Sequence, residues 1–417
     1  MVENEGKKVL IIGATASEYS LAKAFSALPE VSEVFVAPGV EAMKEFCTTV
    51  DIRENNPKEL LEFALETGID LTIASSEVTI RSDVATFFQQ SGQMIFAPTA
   101  DSANIAISKA AGKKFMYKTR IACPKFGIFD KPSMALDYLK KSNFPVVLKT
   151  DYHQKGGVFI CNNFSLAKEY IENMFETGEK KVVIEDYIYG HEFSFYVVTD
   201  GFHAIPLGSV ATYKQELEGN GGALTSGMGA VFPDYKISKQ IEQTILAKII
   251  YPSLNNLAKN QTPYVGIFGV DLILNDTGNI YAIEFSPFLS YSDCSSILAN
   301  LDDNLYEIAQ ACVVGSFADD YNNIKINDAY AVSCVVSSKE NKIIENFDNL
   351  DDETIIDLQN IKKNKYLEHE TTGGNAFILT RTARALSKAV EDLYDELDVL
   401  KFDGMKYRKD IGKIILS

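Results

Sequence analysis

The chain has 417 residues, of which 57 are acidic and 40 basic, and its formal net charge at pH 7 is −17. Such a charge gives no general attraction for a phosphate polymer or an anionic membrane, so the composition argues against nucleic-acid and membrane partners and favours small-molecule substrates. The length suffices for about two to four domains, and the 46% hydrophobic content can fill several cores.

Cysteine usage and the first residues bear on the compartment. The six cysteines are scattered without a CxxC pair, which indicates neither a structural zinc site nor a disulfide framework. The polar start, MVENEGKK, lacks the apolar core of a secretion signal, and no run reaches the roughly 18 apolar residues of a membrane helix. We therefore expect a cytoplasmic protein, and the sequence leaves open whether it is a monomer or a homodimer.

The first hundred residues alternate apolar strands with amphipathic helices. KKVLIIG and VSEVFVAPG flank the helical segment SEYSLAKAFSAL, and DLTIASSE and QMIFAPT follow a helix that an Asn-Pro pair opens. This order predicts a parallel α/β sheet, in which ligands bind at the carboxyl ends of the strands. The segments at those ends are 13–17, 37–40, 75–78 and 98–101.

A second unit combines FPVVLKTD, the loop YHQKGG, the strand VFICN, a helix near 166–174 and VVIEDYIYG. This order of strand, loop, strand, helix and strand predicts a small α+β unit. The polar, glycine-rich passage 211–233 is too irregular for an ordinary connection, so we expect a long active-site loop there. From about residue 329 the tail has strands of its own and a helix over 385–397.

Two lysines are candidates for phosphate contacts. Lys149 ends an apolar strand, and Lys109 lies upstream of it. An ammonium at a strand end can neutralise a phosphate as a point charge, whereas one inside an apolar run would be buried at considerable cost. A strand-end lysine whose head simply reaches water is the alternative, and for Lys149 taken alone it is the stronger interpretation.

The stretch VVIEDYIYGHEFS holds an apolar strand, a short extended segment, a glycine and then Glu192. Extended backbone offers donors and acceptors to an adenine edge, and a carboxylate a few residues later can accept hydrogen bonds from ribose hydroxyls. On the pattern alone, a solvated loop carboxylate is favoured over this nucleotide contact.

The stretch YVGIFGVDLILNDTGNIYAIEF predicts two apolar strands joined by a turn at 275–279, with Asp271 on one strand and Glu284 on the other. Mg²⁺ takes one or two carboxylates from a protein and completes its shell with water and phosphate oxygens. Two acids on the same side of a sheet repel each other unless a cation lies between them. The spacing leaves open whether these two acids face the same side or opposite sides.

The order of these features resembles an ATP-grasp ligase and, more narrowly, a divergent member of the phosphoribosylamine-glycine ligase family. The motifs that carry the resemblance span essentially the whole chain: VLIIG, VFVAPG, DLTI with Glu77, PTA, SKA, VVLKTD, VVIEDYIYG with Glu192, SGMGA, YVGI, IEF, TTGGN and YRKDIG. The resemblance implies an α/β and α+β multidomain fold. Its parts would be an N-terminal parallel α/β domain at 1–103, an ATP-grasp domain at 104–328 with a small lid at about 120–190, and a C-terminal α+β domain at 329–417.

The resemblance also implies an ATP-dependent carbon-nitrogen ligase of purine biosynthesis. ATP would phosphorylate the glycine carboxylate, and the amine of phosphoribosylamine would displace phosphate to give the amide, ADP and phosphate. This chemistry needs charge neutralisation at the phosphates and exclusion of water from the acyl phosphate. The implied cofactors are ATP and Mg²⁺, with Mn²⁺ as the alternative metal.

Carried over position by position, the resemblance implies a role for each matching residue. The ATP contacts would be Lys109, Lys149, Glu185, Asp186, Tyr187, Ile188 and Glu192; the metal ligands Asp271 and Glu284; the catalytic residues Lys149 and Glu284; and the substrate contacts Gly13, Glu18, Gly39, Glu77 and Lys214.

Several positions depart from the family pattern. The first loop, GATASEYS, lacks the family's arginine and histidine, and KGG replaces Gly-Lys-Gly in the lid, so that Lys155 is shifted or the lid lysine is absent. In IEFSPFLSYSD, Ser286, Phe288 and Tyr291 replace an asparagine, an arginine and an aspartate. Three hypotheses follow: the family activity, which we favour, an ATP-grasp ligase for another acid and amine, and a non-catalytic ATP-binding paralogue.

Overall fold

The computed structural model describes residues 6–151 and 157–413, and the strands in these ranges form three sheets. The predicted loop YHQKGG, with Lys155, lies outside the described residues except for its last glycine. Among the described helices, none is both long and apolar enough to cross a membrane.

The first sheet is parallel, and its strands are β1 (Lys7–Gly13), β2 (Val31–Pro38), β3 (Thr48–Thr49), β4 (Leu71–Ala74) and β5 (Ile95–Phe96). The spatial order is β3-β2-β1-β4-β5, which confirms the predicted parallel α/β unit. The connecting helices are α1 (Ala16–Ser26), α2 (Pro57–Thr67), α3 (Glu77–Arg81) and α4 (Val84–Gln90).

Two helices lead out of this sheet into a small antiparallel one. They are α5 (Ala100–Ile107) and α6 (Lys109–Thr119). The strands of the second sheet are β6 (Phe126–Phe129), β7 (Val146–Thr150), β8 (Val158–Cys161) and β9 (Val182–Asp186), in the order β6-β9-β7-β8. The helices α7 (Pro132–Leu139) and α8 (Phe164–Glu176) pack on it, and α8 confirms the helix predicted near 166–174.

The third sheet is antiparallel and has nine strands within the described ranges. They are β10 (His191–Asp200), β11 (Ala204–Leu217), β12 (Gly221–Phe232), β13 (Val265–Leu274), β14 (Ile280–Ser286), β15 (Tyr330–Ile343), β16 (Ile355–Leu358), β17 (Ile361–Lys363) and β18 (His369–Ala383). Their order is β14-β13-β10-β11-β12-β15-β18-β16, with β17 paired to β18. The helices around it are α9 (Lys239–Ile245), α10 (Tyr251–Lys259), α11 (Tyr291–Asn300), α12 (Leu305–Val314), α13 (Phe317–Asp320) and α14 (Leu386–Val399).

The C-terminal strands continue this third sheet. β15 pairs with β12 from Gly229–Cys334 to Phe232–Ala331, and β18 then pairs with β15. The mixed α/β and α+β architecture is confirmed, with a parallel N-terminal sheet followed by antiparallel ones. The predicted domain boundaries after residues 103 and 328 stay predictions.

The glycine-rich passage 211–233 is where the sequence prediction was wrong. We expected a long irregular loop, but residues 211–217 belong to β11 and residues 221–232 to β12. Composition suggested a loop because polar residues and glycines dominate the passage. Instead, β12 pairs with β11 on one side and with β15 on the other, so most of the passage forms two strands. Glycine is needed at one point of close approach, since Gly229 lies against Ser333 and Ile411.

We predict that Gly229→Ala lowers the free energy of unfolding by about 1–3 kcal/mol, because the new methyl must displace packed neighbours. Its Cβ would lie 2.7 Å from the Ser333 carbonyl oxygen, which the β12–β15 pairing holds in place. Gly221→Ala is the control on the same strand, since the nearest heavy atom to its Cβ would be 3.5 Å away. Chemical denaturation monitored by circular dichroism measures both, and equal stability of the two variants would contradict the prediction.

Candidate active site

One face of the third sheet carries polar side chains on three adjacent strands. On β10, Phe193 and Phe195 point into an apolar cluster beneath α10, so the alternate residues Glu192 and Ser194 lie on the opposite face. Ser194 is directly opposite Asp271 on β13, and the Ser194 hydroxyl donates a hydrogen bond to Asp271 Oδ1 (2.6 Å).

Asp271 is in turn directly opposite Glu284 on β14. Residues directly opposite each other in an antiparallel pair project to the same face. The two predicted metal acids therefore face the same side of the sheet, which the spacing of the sequence had left open.

A second group of charges comes from α6 and β7, and Asp151 holds these elements together. Asp151 Oδ1 accepts hydrogen bonds from Ser108 Oγ (2.7 Å) and from the backbone N–H of Ala110 (2.9 Å), both at the start of α6. The backbone N–H of Lys109 donates to the Asp151 carbonyl (3.0 Å). Because Asp151 follows Lys149 and β7, these bonds fix the position of Lys109 relative to Lys149.

Glu284 is where the two groups meet. Its carboxylate lies 2.7 Å from Lys109 Nζ and 3.6 Å from Lys149 Nζ. Burial opposes the charged form of Glu284, but Lys109, Lys149 and Lys214 outweigh it and hold the pKa of Glu284 well below its usual value. The carboxylate is therefore ionised in the ligand-free protein at neutral pH.

Glu185 on β9 joins two further ammonium groups. Its carboxylate lies 3.1 Å from Lys149 Nζ and 3.0 Å from Lys113 Nζ, and the three side chains are only 2–3% exposed. Burial lowers the pKa of Lys113 despite Glu185, whereas Glu185 and Glu284 overcome burial and raise the pKa of Lys149. We did not predict Lys113, although its position four residues after Lys109 puts both on one face of a helix.

The remaining ion pair joins Lys214 on β11 to Asp271. Although Lys214 is desolvated, Asp271 and Glu284 raise its pKa. Burial raises the pKa of Glu192. The charges of Lys214, Asp271 and Lys149 are close enough to influence this pKa as well. We call the connected set the lysine–carboxylate cluster: Lys109, Lys113, Lys149, Lys214, Glu185, Asp271 and Glu284.

The predicted adenine hinge lies directly beyond this cluster. Glu185 and Asp186 end β9, whereas Tyr187 and Ile188 belong to the connection to β10. The ring of Tyr187 meets that of Tyr189 edge to face, with centroids 4.8 Å apart. The Glu185 carboxylate is paired with Lys113 and Lys149, so a base at this stretch would meet the backbone of Glu185 and not its side chain.

Three predicted substrate residues form a separate group at the carboxyl edge of the parallel sheet. The backbone N–H of Gly39 donates to the Gly13 carbonyl (3.1 Å), and an added Cβ on Gly13 would collide with Glu18. Glu18 accepts hydrogen bonds from the Thr15 backbone N–H (2.8 Å) and from Ser75 Oγ (2.6 Å). Burial raises the pKa of Glu18. The Glu18 side chain thus fixes the loop between β1 and α1.

Glu77, the fourth predicted substrate residue outside the cluster, lies at the start of α3. Its carboxylate accepts from Arg81 Nε (2.7 Å) one helical turn later. Within the described ranges, no hydrogen bond or ion pair joins Glu77 to the lysine–carboxylate cluster.

Helix α11 connects the two groups of predicted site residues. Tyr196, on the same face of β10 as Ser194, donates a hydrogen bond to Asp293 Oδ2 on α11 (2.7 Å). At the other side, Ser17 Oγ donates to the Leu289 carbonyl just before α11 (3.5 Å). Neither Tyr196 nor Asp293 was predicted as a site residue. The alternation from Glu192 through Ser194 to Tyr196 could have pointed to Tyr196, but no local signal marks Asp293.

The replaced positions lie between Glu284 on β14 and Asp293 on α11. Ser286 Oγ donates to the Phe288 carbonyl (2.8 Å), and the Phe288 ring packs against the apolar cluster beneath the sheet. Tyr291 is close enough to Glu18 for the carboxylate to add to the effect of burial, which raises the Tyr291 pKa. The hydroxyl and the ring that replace asparagine and arginine are therefore engaged within the protein.

A resident metal would depend on few protein ligands. The part of the chain that the structure describes contains no group of three or more His, Cys, Asp or Glu residues placed to hold a metal ion. Asp271 and Glu284 supply two carboxylates on one face, which is the number that Mg²⁺ takes when phosphate oxygens and water complete its shell. The donor set fits a metal that binds together with a nucleotide.

We predict that Asp293 makes the protein more stable at pH 5 than at pH 7.5. Burial, only partly offset by hydrogen bonds from Tyr196 and Ser290, raises the pKa of Asp293 from 3.8 to about 6. The folded state therefore holds a proton that the unfolded state releases, and this contribution is lost as the pH rises through 6. Between pH 5 and pH 7.5 the raised pKa corresponds to about 1.4 kcal/mol of stability.

Asp293→Asn should remove this contribution, because the amide does not titrate. Urea denaturation at pH 5 and pH 7.5 gives the free energy of unfolding at each pH. The difference between the two values should be smaller in Asp293→Asn than in the wild type. Asp319→Asn, at an exposed position in α13, is the control. The same pH dependence in Asp293→Asn and the wild type would contradict the prediction.

The chain was compared with known families and structures. Two models of one family match adjoining parts: phosphoribosylglycinamide synthetase, N domain, at residues 7–106, and phosphoribosylglycinamide synthetase, ATP-grasp (A) domain, at residues 107–292. Phosphoribosylamine-glycine ligases of Clostridium acetobutylicum and Lactococcus lactis are each 29% identical, over 421 and 412 residues, with 97% of this chain and 99% of each relative covered.

Solved structures show the same fold. The phosphoribosylamine-glycine ligase of Thermotoga maritima superposes with a TM-score of 0.82 at 22% identity, covering 97% of this chain and all of the other. A biotin carboxylase of Campylobacter jejuni gives a TM-score of 0.73 at 15% identity, covering 99% and 95%. With two family models matching most of the chain and relatives aligned along nearly its full length, this chain belongs to the phosphoribosylamine-glycine ligase family.

Proposed function

We propose that this protein is an ATP-dependent ligase that joins glycine to phosphoribosylamine. A glycine carboxylate oxygen attacks the γ-phosphorus of ATP and ADP leaves. The amine nitrogen of phosphoribosylamine then attacks the acyl carbon, phosphate leaves, and the nitrogen loses a proton as the amide forms. The observation that carries this proposal is the convergence of three predicted lysines on two paired carboxylates, within a chain of this family.

On the ATP side, the proposed work is charge neutralisation. Lys109 and Lys149 hold their ammonium groups at the Glu284 carboxylate, where phosphate oxygens can take them over as partners. An ammonium has three donors, and neither lysine uses all of its donors on Glu284. We assign the adenine contact to 185–188 and the ribose contact to Glu192, because both adjoin the cluster.

Asp271 and Glu284 are the proposed ligands of a divalent metal, Mg²⁺ or Mn²⁺. Bound there with the nucleotide, the metal would add positive charge to the phosphates and orient them. The protein itself contributes the two paired carboxylates and the lysines that lower the pKa of Glu284 before the nucleotide arrives.

On the substrate side, Lys214 is proposed to face the acid that is activated, because its ammonium is held beside Asp271 at the same sheet face. The contact with phosphoribosylamine would lie at the edge of the parallel sheet and would be shaped by Gly13, Glu18 and Gly39. Glu77 would lie beside this contact. We propose the same division into domains as above, with catalysis at their junction and small molecules of the cytoplasm as partners.

We predict that the wild type releases phosphate only when ATP, glycine and freshly generated phosphoribosylamine are all present. Lys149→Met should lower kcat/KM by roughly a hundred- to a thousandfold, because a preorganised positive charge is lost where phosphate charge develops. Glu185 and Glu284 each keep another lysine in this variant, so it should fold. Lys118→Met, at an exposed position of α6, is the control.

The assay couples ADP formation to a spectrophotometric readout. An absence of ADP formation in the wild type with these substrates would exclude the proposed function. Equal rates for Lys149→Met and Lys118→Met would exclude the role of Lys149.

We predict that Glu284→Gln raises the Mg²⁺ concentration needed for nucleotide binding by about tenfold or more, because one hard anionic ligand is lost. Isothermal titration with a non-hydrolysable ATP analogue at several Mg²⁺ concentrations measures the shift without turnover. Glu172→Gln, at a half-exposed position in α8, serves as the matched control. An unchanged Mg²⁺ dependence in Glu284→Gln would remove Glu284 from the metal site.

A further inference from the structure

The pairing of β11 with β12 is interrupted at Lys214. Tyr213 pairs with Gly229 and Gln215 pairs with Leu224, so a single β11 residue, Lys214, stands opposite four residues of β12, 225–228. In a regular ladder, hydrogen bonds to the neighbouring strand would fix the backbone of Lys214. The interruption changes the direction of the Lys214 side chain, and it leaves the backbone groups of this residue in need of other partners.

Two side chains supply these partners. Thr225 Oγ1 donates a hydrogen bond to the Lys214 carbonyl (2.8 Å). Arg408, in the C-terminal YRKDIG motif, donates from Nη1 to the Gln215 carbonyl (3.1 Å). The Lys214 carbonyl is thus held by a side chain of β12 itself, and the next carbonyl, that of Gln215, by a side chain from outside the hairpin.

Arg408 also holds the turn of the same hairpin. Both of its Nη atoms donate to Asn220 Oδ1 (3.2 Å each), and its Nε and Nη2 donate to Asp410 (2.8 and 2.7 Å). Asp410 accepts in turn from the backbone N–H of Gly219 (2.9 Å). The turn at 216–220 is exposed, and these contacts tie it to the body of the protein.

The remaining contacts fix Arg408 itself. Its side chain is fully buried, and its guanidinium lies over the Tyr213 ring, 5.0 Å from the centroid. The Arg408 carbonyl accepts from Tyr394 Oη (3.0 Å), and Tyr213 Oη accepts from the backbone N–H of Gly412 (2.9 Å). The planar fork of arginine serves a carbonyl, an amide and a carboxylate at once while stacking on a ring, which a lysine cannot do.

We propose that Arg408 is a positioning residue of the active site, which sets the direction of Lys214 by holding the interrupted hairpin. Burying a charge costs free energy that an apolar anchor would not, and what the charge adds here is a fixed geometry next to Lys214. The C-terminal segment thereby completes a site whose charged groups all lie before residue 285. The kinetic part of this proposal rests on the proposed function, in which Lys214 faces the acid.

The first test needs no turnover. In hydrogen–deuterium exchange, Arg408→Lys should speed exchange of the amides in 213–226 about tenfold or more, because the hairpin loses its outside partners. Arg381→Lys is the matched control: Arg381 is a buried arginine on β18 whose partners are Thr354, Asp351 and Glu353, away from Lys214. The proposal is overturned if the exchange rates at 213–226 in Arg408→Lys equal those of the wild type, or if they rise equally in Arg408→Lys and Arg381→Lys.

The second test is a double-mutant cycle in the ligase assay. Arg408→Lys should lower kcat by about 10- to 100-fold and leave the affinity for the ATP analogue within about twofold, since only the Lys214 side of the site moves. In a Lys214→Met background, Arg408→Lys should cost less than about twofold more, because the two residues act as one unit. Losses that multiply would show that Arg408 acts independently of Lys214 and would overturn its positioning role.

Two outcomes need separate treatment. If the wild type shows no turnover, the proposed function fails, while the exchange experiment still decides whether Arg408 holds the hairpin. If Arg408→Lys does not fold, Asn220→Ala removes the shared acceptor of both Nη atoms from an exposed position. It should speed exchange at 213–226 about threefold, and wild-type exchange in this variant overturns the proposal.

Discussion

The site depends on the pairing of buried lysines with buried carboxylates. Lys113 and Lys149 are almost fully buried, and Glu185 lies between them at 3.0 and 3.1 Å. Removing one partner of such a pair leaves an uncompensated charge, which typically costs about 3–5 kcal/mol. Because Lys113 belongs to α6, Lys149 to β7 and Glu185 to β9, the same electrostatics that place the ammonium groups also hold α6 against the second sheet.

The charge balance of the cluster follows from this arrangement. Four lysines face three carboxylates, with Glu192 nearby, so the ligand-free site is close to neutral. A phosphate that draws both Lys109 and Lys149 away from Glu284 would leave that carboxylate without these two counter-ions. At the proposed metal site, a divalent cation held by Glu284 and Asp271 would restore the balance, so that the metal and the nucleotide would each relieve the repulsion that the other meets alone.

Sequence reasoning found the elements and left the contacts open. The parallel sheet, the helix near 166–174 and the acids on adjoining strands were predictable from periodicity and spacing. Whether Asp271 and Glu284 share a face depends on register, which no local pattern contains. Asp293 was missed because its partner Tyr196 lies 97 positions away. The hairpin at 211–233 was missed because its glycines and polar residues look like a loop until β15 is placed beside it.

The departures from the family pattern at Ser286, Phe288 and Tyr291 change side chains within a segment whose ends remain fixed. Before that segment, Glu284 is bound to Lys109. Within it, Leu289 is held by Ser17, and after it Asp293 is held by Tyr196. Phe288 packs against the apolar cluster beneath the sheet, where the family pattern has an arginine. The segment therefore keeps its place between the parallel sheet and the third sheet, and the replacements change which groups it offers to a substrate. Because Lys109, Lys149, Asp271 and Glu284 all lie outside 286–291, the ATP and metal contacts that we propose do not depend on the groups that this segment offers to a substrate.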